Sequence, residues 1–381
     1  MRGTVAEVFR TFLLLGLTSF GGPIAHLGYF REAFVARRKW LSEEAYGDIV
    51  ALCQFLPGPT SSQVGLAIGW QRAGYGGALA AWAGFTLPSA ILMVAFAYGV
   101  TAFTLPAGAL HGLKIAALAV VALACWQMAR SLAPDGVRRV VAAAAAIVAL
   151  LYPWSAVVIL AIAAIGGALI SRHPSIPSPE AARPSLLPLI LFAVLLVALP
   201  LLALTGDAVA MIADKFYRAG SLVFGGGHVV LPLLEAELVD PGLIDRAAFL
   251  AGYGAAQAVP GPLFSFAAYA GALLNLSVNG TPGAILALVA IYVPSFLMIF
   301  GALPWWHRLR GIGRLRGALD FANAAVVGLL LAALYDPVLT STVTDYWDLL
   351  LAIAALVMLA ILRWPAWLVV LICAGIGGLV L

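Results

Sequence analysis

The polar and conformationally unusual groups of this 381-residue chain sit inside apolar runs, and they come in two similar sets. The first set is Phe20, Gly21, Gly22, Pro23 and His26, followed by Gln54, Pro57, Gly58, Pro59, Thr60, Ser61 and Ser62. The second is Gly225, Gly226, Gly227 and His228, followed by Gln257, Pro260, Gly261, Pro262 and Ser265. Pro23, Pro59 and Pro262 each follow a glycine and open an apolar segment, as proline does at the first position of a helix. Helix starts present unpaired N–H groups and partial positive charge, which suits oxygen-rich anions. The Gln amides, the hydroxyls and the two His add neutral donors. Read this way, the two sets bind an anion. The competing reading stays open at each position: Gly and Pro also serve close packing and kinks, Ser and Thr cap helix starts, and His26 or His228 can bond a neighbouring helix.

Bond-making chemistry finds no support. The five His show no metal-ligand pairing, and no zinc-protease, nucleophile-elbow or phosphate-loop pattern occurs. The expectation is a non-enzyme with no cofactor and no metal. Cys53, Cys125 and Cys373 lie singly in apolar stretches and read as small buried hydrophobes.

The elements that must hold these groups are membrane helices. Hydrophobic residues make up 63% of the chain and charged residues 10%, with mean hydropathy +1.04. A soluble domain carries roughly 25% charged residues, so soluble enzymes and nucleic-acid binders are excluded. The net charge of +4 is explained by basic cytoplasmic loops. The amino-terminal stretch lacks a clear cleavage site and runs on into membrane sequence, so it is expected to belong to the fold.

The two sets belong to an internal duplication. Ser19-Phe20-Gly21-Gly22 aligns with Val223-Phe224-Gly225-Gly226, and the segment from Gln54 to Pro59 aligns with Gln257 to Pro262. Leu87-Pro88-Ser89 matches Val293-Pro294-Ser295, Ala119-Val120-Val121 matches Ala325-Val326-Val327, and Ile165-Gly166-Gly167 matches Ile376-Gly377-Gly378. The offset drifts only from ~205 to ~211 positions, as loop insertions produce. The expected organisation is a first repeat over 1–170, a polar linker and linking transmembrane helix over 171–211, and a second repeat over 212–381. The linking helix is the unpaired apolar run from Leu186 to Leu204.

Loop charges give the orientation of the copies. Arg31, Arg37, Arg38, Lys39, Arg130, Arg138 and Arg139 make the first-half loops basic, whereas the equivalent second-half loops carry Glu235, Glu237, Asp240, Asp245, Asp336, Asp345 and Asp348. His307, Arg308, Arg310, Arg314 and Arg316 answer an uncharged first-half stretch, Gly99–Leu110. Under the positive-inside rule, equivalent loops then lie on opposite sides of the membrane. The expected fold class is an all-α polytopic membrane protein of two inverted-topology repeats, with broken or re-entrant helices and one linking transmembrane helix. Its N-terminus is expected in the cytoplasm and its C-terminus outside.

The glycines and prolines fall where parity requires the chain to turn back: 4–37 at Phe20-Gly21-Gly22, 208–238 at Phe224 to Gly227, and breaks at the two Pro-Gly-Pro motifs. The flanking segments are about 12–16 residues, short for a ~30 Å core. Irregular backbone at that depth survives only when it is buried in protein or lines a polar cavity. Interrupted segments at matching places in two repeats point to a transporter's substrate site. Lys114 and its counterpart Asp320, with Asp48 and Asn323, are candidates for coupling or gating. Trp305, Trp306, Trp364 and Trp367 are expected in the interfacial belt.

With these residues in view, the sequence resembles the long-chain members of the chromate ion transporter family. The resemblance rests on Ser19-Phe20-Gly21-Gly22-Pro23, on Leu52 through Thr60, and on Phe85-Thr86-Leu87-Pro88, with weaker second-half copies around Phe224–His228 and Gln257–Pro262. It covers essentially the whole chain and implies export of chromate across the bacterial inner membrane, giving chromate resistance. The partner it implies is chromate; composition adds the lipid bilayer and no nucleic acid, sulfate shares chromate's shape and charge and so stands as a competitor, and a homo-oligomer stays open. The second copy has Gly227 in place of Pro23 and Leu263-Phe264-Ser265 in place of Thr60-Ser61-Ser62. An asymmetric site drawing mainly on the first half is therefore expected. Transport of sulfate or another oxyanion, and an anion channel, remain as alternatives.

Overall fold

Short apolar helices that reverse at glycine and proline build most of this chain. The computed structural model describes residues 3–20, 22–102, 107–152, 155–170, 186–223, 230–306 and 313–380. Among these the regular elements are all helical. Helix α1 (Val5–Thr18) starts at Thr4, whose hydroxyl accepts from the Glu7 N–H, and α2 spans Gly22–Arg31 and continues through a π-helical turn, Glu32–Arg37. The Phe12 ring lies 5.6 Å from Phe30 and 4.9 Å from Phe34. On one straight helix Phe12 and Phe30 would stand roughly 27 Å apart, so the chain turns back between α1 and α2. Gly22 takes φ +76 there, a conformation that costs a side chain dearly.

The second half repeats this hairpin. Helices α9 (Ala208–Leu222) and α10 (Val230–Leu238) face each other through Lys215 and Arg218, each 3.3 Å from the Glu237 carboxylate. The supposedly acidic stretch is thus largely paired: Arg246 stands 3.5 Å from Glu235 and 3.4 Å from Asp240.

The Pro-Gly-Pro motifs likewise join two arms. Helix α3 (Glu43–Phe55), capped by Ser42, leads through residues 56–59 into α4 (Thr60–Ala102). Helix α4 is itself bent at Ala73 and Gly74, whose φ values are −143 and +66, giving a short arm and a long one. In the second half, α11 (Arg246–Ala258) and α12 (Phe266–Ala272) pair through the Tyr269 hydroxyl, which donates to the Ala248 carbonyl at 2.8 Å. Helix α13 (Gly280–Ala302) matches the long arm of α4. Gly69 packs against Gly77, and Gly271 against Gly283, so tightly that a Cβ at any of them would meet backbone. Small residues let membrane helices approach in this way.

The remaining helices interlock the repeats. Helices α5 (Ala107–Leu132) and α14 (Gly313–Ala333) are the long ones, and each half ends in a short hairpin: α6 (Gly136–Leu151) with α7 (Ala156–Ile170), and α15 (Tyr346–Ala360) with α16 (Ala366–Val380). The hairpins are exchanged: α6 and α7 pack on α14, whereas α15 and α16 pack on α5. The glycines of the Ile-Gly-Gly matches sit at these crossings, with Gly167 against Gly317 and Gly377 against Gly108. Polar links follow the same exchange. His111 on α5 lies 2.7 Å from the buried Asp348 of α15, and Arg138 of α6 lies 3.6 Å from Asp320 of α14. In the loop before α6, the Arg138 backbone N–H and guanidinium hold Asp135 below the usual carboxylate range.

Four stretches, Thr60–Gly99, Gly108–Arg130, Gly280–Trp305 and Gly313–Thr342, are long and apolar enough to cross a bilayer. The chain is a multi-pass membrane protein of two repeats. Helix α8 (Leu187–Ala203) lies on α9 and α13 and buries none of its residues, as suits the unpaired apolar run between the copies. The three cysteines are buried and unbridged.

Candidate functional site

The two halves meet at their interruptions. The backbone N–H of Gly58 donates to the carbonyl of Val223 at 2.6 Å, and that of Gly261 donates to the carbonyl of Ser19 at 2.9 Å. Val223 and Ser19 are the residues on which α9 and α1 end. Each Pro-Gly-Pro motif therefore ties its own half to the helix end of the other. Gly58 and Gly261 take φ +126 and +103. The serines that follow proline in the long helices complete the pattern: Gly58 lies against Ser295, and Gly261 against Ser89. Only a residue without a Cβ fits both the dihedral angle and the approach.

His26 is fully buried, with Nε2 3.3 Å from the Ser19 carbonyl and Nδ1 3.3 Å from the Ser61 hydroxyl. A carbonyl can only accept, so Nε2 carries a proton and donates to Ser19, and in the neutral imidazole Nδ1 accepts from the Ser61 hydroxyl. The Phe85 ring stands edge-on to it at 5.1 Å. His26 thus braces the first hinge against the start of α4. Thr60, Ser61 and Ser62 are buried at that start, and Pro59 is buried before it. The Gln63 side chain donates to the Pro57 carbonyl at 2.6 Å. Ser62 and Thr86 lie beside the buried Tyr292 hydroxyl, yet none of the three oxygens completes a hydrogen bond of good geometry. Ser19 and Ser295 also have buried hydroxyls without partners. The junction is rich in unspent neutral donors.

A cavity of about 350 Å³ opens beside this junction. Phe20 and Gly22 of the first hinge, Gln127 of α5, Gln257, Val259 and Gly261 of the second motif, and Arg363 with Trp364 line it. The Gln257 Nε2 is buried and unpaired. Pro260 is partly buried, and Pro262 and Ser265 are buried in the turn that follows, with the Ser265 N–H donating to the Pro262 carbonyl at 3.0 Å. Pro23 is the second residue of α2. Gln54, the counterpart of Gln257, is exposed on α3 and outside this lining. Gly21, Gly225, Gly226, Gly227 and His228 lie outside the described residues.

The two halves contribute unequally to this cavity. The hydroxyl-rich first-half motif is buried in the junction, and most of the cavity wall comes from the second half. Three of the tryptophans expected in the interfacial belt have described contacts. Trp306 is buried with Nε1 3.5 Å from Asp48 Oδ1, Trp364 faces the cavity, and the Trp367 ring lies 6.1 Å from Phe20. The charged candidates stand apart from the cavity: Asp48 lies in a separate recess with Gln71 and Trp306, Lys114 is on α5, and Asp320 meets Arg138. Asn323 on α14 has a buried Oδ1 without a partner.

A family profile described as chromate transporter matches residues 6–168 and again residues 210–378. The chain belongs to the chromate transporter family. The chromate transport protein of Pseudomonas aeruginosa is 28% identical over 349 residues, 87% of this chain and 80% of that one. The chromate transport protein of Cupriavidus metallidurans is 26% identical over 377 residues, covering 94% and 88%. An uncharacterized transporter of Methanocaldococcus jannaschii is 26% identical over 341 residues, covering 86% and 82%. No solved structure matches this chromate transporter family member. Ser89 and Ser295 were visible in the sequence as part of the repeat, but Gln127 and Arg363 carry no motif, and only folding brings them to the cavity.

Proposed function

We propose that this protein is a secondary active transporter that exports chromate from the cytoplasm, and so confers chromate resistance. The observation that carries the reading is the reciprocal contact of the two Pro-Gly-Pro motifs beside a cavity lined by Gln257, whose Nε2 is buried and unpaired. Family membership and the two relatives named as chromate transport proteins support chromate as cargo.

The oxyanion sits where the broken helices converge. Since Gly58 and Gly261 spend their N–H groups across the junction, the binding donors are the N–H groups that helix starts leave without intrahelical partners, at α2 and α4, with Gln257 Nε2 and the hydroxyls around Tyr292. The site replaces hydration with neutral dipoles, which bind a dianion and still release it. Alternating access is movement of one interlocked element against the other. The repeats are inverted, the N-terminus is cytoplasmic, and the C-terminus lies outside the bacterial inner membrane. A dianion leaving a cell held at 100 mV, negative inside, gains about 4.6 kcal/mol from ~2.3 per charge, so the potential alone can drive export.

Chromate uptake into everted vesicles under an imposed potential or pH gradient, with sulfate as competitor, tests the reading. Saturable uptake supports it, and no chromate accumulation under any gradient refutes it. Sulfate has the same shape and charge, so uptake of sulfate in preference to chromate moves the assignment to a sulfate transporter. Non-saturating flux at channel-like rates makes the protein an anion channel.

A further inference from the structure

We propose that Arg363 is the cationic recognition residue of this cavity, engaging the oxyanion by charge before the neutral donors take it over. The inference rests on the oxyanion reading above and adds a residue to it.

Arg363 lies in the turn between α15 and α16. That turn is closed by the Ile361 and Leu362 N–H groups on the Val357 carbonyl, at 2.9 and 3.1 Å, and by the Trp364 N–H on the Met358 carbonyl at 2.9 Å. Arg363 itself takes φ +56. This is the left-handed position just past a helix, where glycine is the usual occupant because it has no Cβ to strain. An arginine there is disfavoured by the backbone, so its presence calls for a use of the side chain.

The surroundings name that use. Arg363 lines the cavity with Gln257 and Gln127, and no Asp or Glu is among the described residues that line it. Several other described arginines are spent on carboxylates, Arg31 on Glu43, Arg72 on Glu7, Arg138 on Asp135, Arg218 on Asp214 and Arg246 on Glu235, while Arg139 donates to backbone carbonyls and Arg38 and Arg130 lie over Trp rings. An arginine that lines a cavity with no acid among its described residues can serve as a receptor for a planar pair of oxygens, since its guanidinium carries N–H donors in the right geometry. The cavity, at about 350 Å³, far exceeds the ~10–15 Å³ that one water requires, so it admits an oxyanion with part of its hydration shell. The unpaired Gln257 Nε2 provides the next donor inward. The arrangement is one-sided: the first-half counterpart of this turn, after α6, carries Tyr152 at φ −137 and offers no cation. Arg363 also sits at the carboxyl end of α15, where a cation is favourable to the helix dipole, and the test must separate the two roles.

Glycine makes the separation. R363G relieves the left-handed strain while it removes the charge, so a purely structural role predicts a protein at least as stable and fully active. We expect R363G and R363Q to raise the KM for chromate in everted vesicles about tenfold or more, with R363K between them and the wild type. Purified R363G should melt no lower than the wild type. The native cysteines are buried, so the new thiol of R363C is selectively accessible. Its ethylammonium methanethiosulfonate adduct should regain uptake, whereas the neutral methyl adduct should not. Wild-type KM in R363G or R363Q overturns the inference, as does loss of uptake in proportion to loss of folded protein. If wild-type vesicles take up no chromate, the transport reading fails by itself. Sulfate-dependent thermal stabilisation of purified wild type, absent in R363G, then still upholds Arg363, and equal stabilisation of both, or of neither, rejects it.

Discussion

Gly58 donates its backbone N–H to the carbonyl of Val223, and this bond has a mirror in the chain, from Gly261 to Ser19. Two segments some two hundred positions apart thus hold each other's broken ends. A hinge that would expose unpaired backbone in hydrocarbon is instead closed by the other copy.

Adding a side chain at the hinge glycines should therefore stop transport. Gly58→Ala must adopt φ +126 and press on Gln63 and Ser295, and Gly261→Ala must press on Ser89. With strain of about 1–3 kcal/mol at each site, chromate uptake should fall about tenfold or more while membrane insertion, measured by immunoblot of the vesicle fraction, stays normal. Normal uptake in both variants would remove the junction from the mechanism.

The two Gln residues should part company. Gln257→Leu removes the buried, unpaired Nε2 of a residue that lines the cavity and should depress chromate uptake, whereas Gln54→Leu changes an exposed side chain and should leave uptake and KM unaltered. Initial rates over a chromate series will decide between them.

His26 should prove structural. His26→Ala leaves the buried Ser61 hydroxyl short of a partner and weakens the hold on Ser19, a loss of about 1–3 kcal/mol. We expect a lower melting temperature in purified protein, with unchanged KM in the molecules that remain folded. A raised KM at unchanged stability would move His26 into the binding site.

The exchange of hairpins can be tested at Gly377. Its packing against Gly108 leaves no room for a larger group, so Gly377→Leu should cost about 1–3 kcal/mol through overpacking. Gly375, which meets nothing, should accept Leu without effect. Melting temperatures of the two variants make the comparison.

Topology reporters should find the two termini on opposite sides of the membrane, the N-terminus cytoplasmic. Both ends on one side would end the inverted arrangement.

By itself the sequence determined the membrane class, the duplication, the unpaired helix α8 and the points where the chain reverses. These features are written locally, in runs of apolar residues and in Gly and Pro at fixed places. Phe12 against Phe30, and Tyr269 against Ala248, show the reversals falling where the Phe20-Gly21-Gly22 and Pro260-Gly261-Pro262 motifs put them. The tertiary structure decided what the motifs touch. No periodicity says that Gly58 bonds Val223, that α16 packs on α5 of the other half, or that hydroxyl-rich Thr60–Ser62 is buried in a junction while Gln257 faces a cavity. Repeated copies are alike in sequence, so pairing within a half and pairing between halves present the same local pattern. Arg363 shows the limit most plainly. No motif marks it in the sequence, and only the left-handed turn and the exchanged hairpin carry it to the cavity that Phe20 and Gln257 also line.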